Sequence, residues 1–190
     1  MGVLSDRSIL RAITANKIII EPFRRSCLGS NSYDIHLGKY LGMYKDNVLD
    51  CKKDNHIEHR EIPDKGVILT PGNLYLGITE EYTDTCVEFM PNIDGKSSIG
   101  RLGIFIHITA GRGDAGFNGF WTLEIMCIKP VRIYPGMPIG QITYETIEGP
   151  VAKPYNKKKD AKYHNKEPKP IQSMMWKNWD EERQSWIQED

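Results

Sequence analysis

The sequence contains no apolar run approaching the roughly 20 residues that a membrane-spanning helix needs. Residues 1–7 also lack the apolar core of a secretory signal peptide. The sequence has few cysteines and no C-x-x-C pair. This pattern argues against a disulfide scaffold and predicts a cytoplasmic chain with free thiols. The four cysteines are Cys27, Cys51, Cys86 and Cys127.

An excess of either charge is also missing, because 25 basic residues balance 25 acidic ones. This balance disfavours a general nucleic-acid binder, which usually carries a basic excess. The charge is uneven along the chain, however, since residues 153–170 hold seven lysines against Asp160 and Glu167. Such a segment suits a small polyanion such as a nucleotide phosphate tail, although a solvated lysine-rich loop is the commoner meaning of a charge run.

The chain of 190 residues is long enough for one domain with a tail. Ser5 is placed as the N-cap of a short helix that ends at Asn16, with Leu4 and Ile9 as a hydrophobic staple. Many short strand candidates follow at close spacing, which predicts a mainly β sandwich or barrel. We expect strands near 17–21, 33–37, 40–44, 66–70, 74–80, 86–90, 104–109, 120–128, 131–134 and 139–147.

Regular structure fades after Pro150. The predicted organisation is therefore a β domain over residues 1–150 and an extended lysine-rich tail over residues 151–190. Near the end, Trp176, Trp179 and Trp186 are spaced to share one helical face, which predicts a packed or partner-facing aromatic stripe.

Residues 94–124 carry the residue types that favour chemistry. Lys96, Ser97, Ser98 and Arg101 form a donor-rich turn suited to phosphate oxygens, although this stretch taken alone favours an ordinary polar surface turn. Asp114 follows in a glycine-rich loop, where it would accept hydrogen bonds from a sugar hydroxyl or close an Asx turn.

Glu124 is the most unusual residue of the segment. Its strand carries Trp121 on one face, and the face of Glu124 is also mostly apolar, so we expect burial on both sides. Burial would raise the pKa of this carboxyl toward general acid–base range, and a nearby arginine would lower it again. The pattern leaves a structural Glu–Arg pair equally open, and His107 on the preceding strand is expected to be structural.

These residues together resemble the dCTP deaminase family, within the dUTPase-like superfamily. The resemblance covers most of the chain and depends on the joint order of its motifs. The motifs are LSDR at 4–7, NSYDIHLG at 31–38, GKSSIGRLG at 95–103, TAGRGDAGF at 109–117, TLE at 122–124, PGMPIGQ at 135–141, PYN at 154–156 and DAKY at 160–163.

The resemblance implies a distorted jelly-roll or β-barrel subunit with a short N-terminal helix, assembled as a homotrimer with active sites at subunit interfaces. It implies hydrolytic deamination of dCTP to dUTP and ammonia, which supplies dUTP for thymidine nucleotide synthesis. The triphosphate would bind as its Mg2+ complex, and the tail would close over it. The implied partners are nucleotides and further copies of the chain, with no nucleic acid and no membrane.

The resemblance also assigns roles to individual residues. Glu124 matches the general acid/base that activates the water attacking cytosine C4, and Ser97 and Arg101 match residues that position this water. The Ala110 carbonyl matches a contact to the water or the exocyclic amine, and Asp114 matches the acceptor for the 3′-hydroxyl. Thr122 and Leu123 match contacts to the pyrimidine. The residues that match phosphate contacts are Lys96, Ser98, Tyr155 and Lys162. Arg112, Gln141 and Lys166 complete the expected substrate-binding set.

Two positions depart from the family pattern. Lys166 stands where the family often has glutamine, which would add charge near the phosphates. Gly113 replaces an apolar residue before Asp114, which predicts a looser loop.

A deaminase built on this sequence must work without zinc, because the H-x-E and P-C-x-x-C signatures of zinc-dependent deaminases are absent. No side chain is predicted to bind a metal. A carboxylate, a hydroxyl and an arginine around one water would replace it.

The product is less well specified by the sequence. Gly111 and Gln141 resemble relatives that also hydrolyse the triphosphate and release dUMP and pyrophosphate, whereas Arg112 and residues 155–163 resemble the deaminase-only branch. The main prediction is a dUTP-forming deaminase, and the bifunctional enzyme is the alternative. A trimer that senses nucleotides or binds a partner without catalysis is a further alternative.

Overall fold

The computed structural model describes residues 2–187, and the chain begins with the helix that the sequence predicts. Helix α1 spans Asp6–Thr14, and the Ser5 hydroxyl accepts a hydrogen bond from the Ser8 N–H at 3.4 Å. Ile9 and Ala12 bury one side of the helix against the core. Over residues 2–187, no helix has both the length and the apolar content to cross a membrane.

Thirteen strands account for most of the regular structure of the described residues. They are β1 Ile18–Glu21, β2 Tyr33–His36, β3 Tyr40–Tyr44, β4 Ile57–Glu61, β5 Val67–Leu69, β6 Tyr75–Thr85, β7 Phe89–Gly95, β8 Ile104–Phe105, β9 Asn118–Cys127, β10 Val131–Ile133, β11 Pro138–Thr146, β12 Trp179–Asp180 and β13 Ser185–Trp186. A single helical turn, α2, spans Ser97–Gly100 between β7 and β8.

The strands form two main antiparallel sheets. The larger runs in the order β4-β3-β6-β9-β8 with β1 paired to β6, and the smaller runs β2-β11-β7. Tyr33 and Ile35 of β2, Leu123 and Ile125 of β9, and Tyr144 of β11 are all fully buried. The core therefore lies between the two sheets, as in a jelly-roll, and the described sheets do not close into a barrel. Each such side chain contributes about 1.5–3 kcal/mol by leaving water.

Three strand predictions need correction. Strand β4 was missed because only Ile57 of its five residues is buried, so no apolar alternation marks this strand. The strand expected at 104–109 ends at Phe105, where the chain leaves the sheet. The strand expected at 86–90 is shifted to Phe89–Gly95, which is β7, and it continues through Pro91. Proline is tolerated here because β7 is an edge strand and the Pro91 nitrogen, which carries no hydrogen, faces away from β11.

The aromatic stripe expected on a terminal helix is also wrong. Trp179 and Trp186 face each other across a hairpin, with ring centroids 5.1 Å apart. The helical spacing is interrupted by a turn in which the Asp180 carboxylate accepts hydrogen bonds from the N–H groups of Glu182 and Arg183. Residues 188–190 of the predicted tail lie outside the described residues.

Residues 150–175, which we call the strap, cross the outer face of the larger sheet. The Phe120 N–H donates to the Asn165 carbonyl at 2.9 Å, and the Ile171 N–H donates to the Thr122 hydroxyl at 3.1 Å. The strap has little regular structure, as its composition predicts, but backbone hydrogen bonds hold it along β9. That the strap closes over a triphosphate remains a prediction.

Two threonines on β6 provide a test of this core. Thr83 and Thr85 are 0% and 1% exposed, but only Thr83 has a partner, the Trp121 indole N–H at 2.8 Å. We expect Thr83→Val to lower the free energy of unfolding by about 1–3 kcal/mol, because it leaves the buried indole N–H unsatisfied. The matched Thr85→Val variant should be neutral or slightly stabilising. Urea unfolding of both variants measures the difference, and equal losses would contradict the assigned hydrogen bond.

Candidate active site

A cavity of about 520 Å³ lies between strand β9, the loop that follows β8, and the strap. The strands supply the floor, the loop one wall and the strap the other. Its lining residues are Tyr44, Leu74, Leu76, His107, Ile108, Ala110, Arg112, Gly113, Asp114, Phe117, Phe120, Trp121, Thr122, Glu124, Tyr155, Tyr163, Asn165, Ile171, Gln172 and Ser173.

Strand β9 places Glu124 on the wall of this cavity. Alternate side chains of the strand enter the core, while Thr122 and Glu124 point to the opposite face and line the cavity. The expectation that both faces of the strand are buried is therefore wrong, since the Glu124 side chain stays 32% exposed. Glu124 consequently faces the space where a ligand and a water molecule would bind.

The environment of Glu124 lowers its pKa below the ordinary value. The main cause is the His107 side chain, whose Nδ1 lies 3.9 Å from Glu124 Oε2. Burial acts in the opposite direction, and the Ile108 N–H donates to the same carboxylate oxygen at 3.4 Å. Histidine therefore takes the place of the arginine that the sequence suggested, and Glu124 is a carboxylate at neutral pH.

His107 is the site residue that sequence reasoning assigned to a structural role. Its side chain is 10% exposed, and neither ring nitrogen has a hydrogen-bond partner among the described residues. Such an unsatisfied buried imidazole beside a carboxylate is costly unless a ligand or water completes it. The one sequence feature that could have found it is its alternation with the isoleucines at 104, 106 and 108, which sets it apart from the buried Ile104 and Ile106.

The glycine-rich loop packs tightly against the smaller sheet. The Gly111 carbonyl accepts from the Ile93 N–H at 2.7 Å, and the Gly113 N–H donates to the Pro91 carbonyl at 2.8 Å. A Cβ on Gly113 would lie 2.4 Å from the Trp121 ring. The prediction of a looser loop is therefore wrong, because the indole occupies the space that a side chain would take.

This loop brings Ala110, Arg112 and Asp114 to the cavity, and their contacts with a substrate stay a prediction. The Asp114 carboxylate is exposed and lies 3.6 Å from the Lys158 ammonium of the strap. It is therefore free to accept hydrogen bonds from a ligand on its other side.

The two residues predicted to contact the pyrimidine lie on opposite faces of strand β9. Thr122 lines the cavity, but the side chain of Leu123 is fully buried in the core. Leu123 can contact a ligand only through its backbone. Aromatic rings cover the adjacent wall, where the Phe117 ring lies 4.3 Å from that of Trp121 and 5.7 Å from that of Tyr155.

Within one chain, the residues predicted to contact the phosphates do not lie together. Tyr155 lines the cavity, whereas the Lys162 ammonium contacts the Asn178 side chain in a neighbouring pocket of about 330 Å³. Lys166 is exposed on the strap and does not line the cavity.

The other predicted residues lie on a different face. The turn α2 and the residues at its two ends carry four of them, and none of the four lines the cavity. They are Lys96, Ser97, Ser98 and Arg101. The Lys96 ammonium is paired with the Asp34 carboxylate at 2.5 Å. Gln141 lies beside them on β11, opposite Asp34 of β2. One chain therefore carries two groups of predicted site residues, a cavity group around Glu124 and an α2 group around Arg101.

Comparisons with known proteins agree with the motifs. The family model described as dCTP deaminase-like matches residues 3–147. A protein of Hathewaya histolytica named "dCTP deaminase, dUMP-forming" is 49% identical over 163 residues, covering 86% of this chain and 91% of the relative. A protein of the same name from Clostridium beijerinckii is 45% identical over 179 residues, covering 94% of this chain and 99% of the relative.

The fold also matches a solved structure, the 2′-deoxycytidine 5′-triphosphate deaminase from Agrobacterium tumefaciens. The TM-score is 0.61 at 20% identity over 76% of this chain. This chain spans about half of that one, since the match covers 48% of it. The family model and the two relatives together show that the chain belongs to the dCTP deaminase-like family, as its motifs predicted.

Proposed function

We propose that the chain deaminates dCTP and then hydrolyses the triphosphate, releasing ammonia, dUMP and pyrophosphate. The observation that supports deamination is the ionised Glu124 beside the unsatisfied His107 on the wall of an aromatic cavity. The second step is supported by the relatives, whose names specify dUMP formation. Their names favour the bifunctional alternative of the sequence analysis over dUTP as the final product.

The first step assigns Glu124 two proton transfers. Its carboxylate accepts a proton from water, and the resulting hydroxide attacks cytosine C4. Glu124 then returns the proton to the amino group, the C4–N bond breaks and ammonia leaves. The proton of the added hydroxyl moves to N3 as C4 becomes a carbonyl. The balance is dCTP plus water to dUTP plus ammonia. In the second step another water cleaves the bond between the α- and β-phosphates, which gives dUMP and pyrophosphate.

Other cavity residues would hold the nucleotide in place. Thr122 faces the pyrimidine, the Ala110 carbonyl faces the water or the exocyclic amine, and Asp114 accepts the 3′-hydroxyl. Aromatic walls exclude water from the base and so strengthen the electrostatic effect of Glu124. The substrate would be Mg2+·dCTP, with its triphosphate toward the strap. Tyr155 lines the cavity there, and Lys162 and Lys166 lie on the same segment outside it.

The two groups of site residues support a shared site. Arg101 and Ser97 are exposed and do not line the cavity of their own chain. In a homotrimer, we propose, the α2 group of one copy meets the cavity group of the next. Ser97 and Arg101 would then position the attacking water from across the interface, and Lys96, Ser98 and Gln141 would contact the phosphates.

An exposed apolar patch next to α2 supports this self-association. Three large apolar side chains there are 54–62% exposed, and a copy of the same chain would remove them from water. They lie together because β8 pairs with β9 and the Ile128 N–H donates to the Gly103 carbonyl. They are Leu102, Phe105 and Ile128.

A product assay tests the proposed reaction. Purified protein with Mg2+·dCTP should release ammonia, dUMP and pyrophosphate, which chromatography separates. Glu124→Gln should lower the rate about 10²–10⁴-fold because the amide cannot carry the proton. Glu61→Gln, an exposed change on β4, serves as the matched control and should retain full activity.

Each failure of this assay has a distinct meaning. Accumulation of dUTP without pyrophosphate would reject the second step alone. Full activity of Glu124→Gln would remove Glu124 from the mechanism. Unchanged dCTP would reject catalysis on this substrate and favour the nucleotide-sensing alternative.

His107 is expected to control the pH dependence of the reaction. Its side chain lowers the pKa of Glu124, so the active carboxylate persists as pH falls below the ordinary glutamate range near about 4.3. His107→Asn should raise that pKa and move the acid limb of the kcat/KM profile to higher pH. The profile of His56→Asn, which changes an exposed histidine, should match that of the wild type. An acid limb that stays in place or moves down would contradict the role of His107.

Mixed trimers test the shared site. Arg101→Ala and Glu124→Gln should each inactivate the enzyme, since every site lacks one group. Co-expressed in equal amounts, the two variants should recover about a quarter of wild-type activity, because a quarter of random neighbour pairs carry both intact groups. Activity no higher than that of the separate variants would place both groups in one subunit. A mixture of Glu124→Gln with Glu124→Ala is the inactive control.

A further inference from the structure

Three side chains outside the cavity form a separate cluster, which we call the thiol relay: Cys27, His36 and Glu81. None of them lines the cavity. Glu81 is fully buried at an irregularity in β6, where the pairing with β9 shifts between Ile78 and Tyr82. A carboxylate in such a position is stable only with close partners.

His36 supplies two of these partners. Its backbone N–H donates to Glu81 Oε2 at 2.8 Å, and its ring Nδ1 lies 2.6 Å from Glu81 Oε1. Burial raises the pKa of Glu81, and the hydrogen bonds from His36 oppose that shift. The Arg24 guanidinium also lies 3.5 Å from Nδ1, but the contact with Glu81 is much shorter and favours the tautomer with the hydrogen on Nδ1. In that tautomer the remaining nitrogen, Nε2, is an acceptor.

That acceptor faces a thiol. His36 Nε2 lies 3.9 Å from Cys27 Sγ, within hydrogen-bond reach for sulfur. The order carboxylate, imidazole, thiol is the one that activates a cysteine nucleophile, since the ring accepts the thiol proton and the carboxylate stabilises the resulting cation. Cys27 ends a short 3-10 turn, Arg25–Cys27, and is only partly buried. Cys27 packs partly against the core, but its neighbours Arg25 and Ser26 are exposed, so the turn lies at the surface, where a small reagent can approach.

The same region also holds three side chains, one imidazole and two carboxylates, that could bind a metal. Donor atoms of His36, Glu80 and Glu81 lie within 4.8 Å of one another. The Arg24 guanidinium already occupies this place, 2.6 Å from Glu80 and 3.3 Å from Glu81. Because the Arg24 guanidinium lies between the two carboxylates, the geometry favours thiol chemistry over metal binding.

We propose that Cys27 is a reactive thiol and a site of modification by small electrophiles and hydroperoxides. In the reaction, the thiol proton moves to His36 Nε2 and the sulfur attacks the reagent. With a hydroperoxide, an S–O bond forms as the O–O bond breaks, and sulfur is oxidised by two electrons to a sulfenic acid. His36 passes its proton to the departing oxygen, which leaves as an alcohol or water. With iodoacetamide, an S–C bond forms and iodide leaves.

Competitive alkylation tests the relay with the other cysteines as internal controls. Protein at pH 7 with EDTA is treated with limiting iodoacetamide, and peptide mass spectrometry gives the rate at each cysteine. Cys27 should react about tenfold faster than the exposed Cys51. His36→Gln and Glu81→Gln should each lower the Cys27 rate to that of Cys51 and leave the Cys51 rate unchanged.

Further measurements keep the outcome decisive. Thermal melting checks that each variant is folded, and His36→Gln carries the test if Glu81→Gln is not. His56→Gln, an exposed change, should leave the Cys27 rate as in the wild type. After tert-butyl hydroperoxide, dimedone should add to Cys27 and not to Cys51. A Cys27 no faster than Cys51 in the folded wild type, or a rate unchanged in His36→Gln, would overturn the proposal.

Discussion

The alternation of side chains along β9 is the constraint on which the rest of the structure depends. One face of this strand fills the core between the two sheets, with Leu123 and Ile125 fully buried. The opposite face forms the floor of the cavity and carries Thr122 and Glu124. Since side chains alternate strictly in a strand, the packing that fixes the core also fixes where the carboxylate points. A shift of one residue in register would exchange the two faces and abolish both.

The strap depends on the same strand. Its backbone bonds to Phe120, and Gly119 permits the approach because a Cβ there would meet the Asn165 carbonyl oxygen at 2.7 Å. The strap then returns along Thr122 and closes one wall of the cavity. A segment with almost no regular structure therefore becomes part of the site, because it pairs its polar backbone groups with a strand already held in place.

The chemistry of the cavity follows from a balance of opposing effects on Glu124. Burial disfavours its charge, but His107 and the adjacent backbone N–H groups favour it more strongly, and the carboxylate stays ionised. An ionised carboxylate suits a group that must first accept a proton. The α2 group does not line this cavity, and this separation is the reason for proposing a site shared between copies of the chain. The thiol relay also pairs a carboxylate, Glu81, with an imidazole, His36. It lies outside the cavity, and the imidazole contacts the thiol of Cys27.

The sequence by itself determined much of this protein. The helix after Ser5, most of the strands, the family and the cavity residues Ala110, Asp114 and Glu124 follow from local patterns and motifs, because capping, alternation and turn residues act over a few positions. Tertiary structure alone decided the rest. Strand β4, which has almost no buried face, depends on its pairing with β3, and the hairpin of Trp179 and Trp186 depends on the turn at Asp180 and on the packing of the two rings.

The pairing of His107 with Glu124 depends on where the chain leaves the sheet after Phe105, and the separation of Arg101 from the cavity depends on how the two sheets pack. The thiol relay joins residues 27, 36 and 81. Such contacts are set by the packing of whole sheets, so no local pattern in the sequence specifies them.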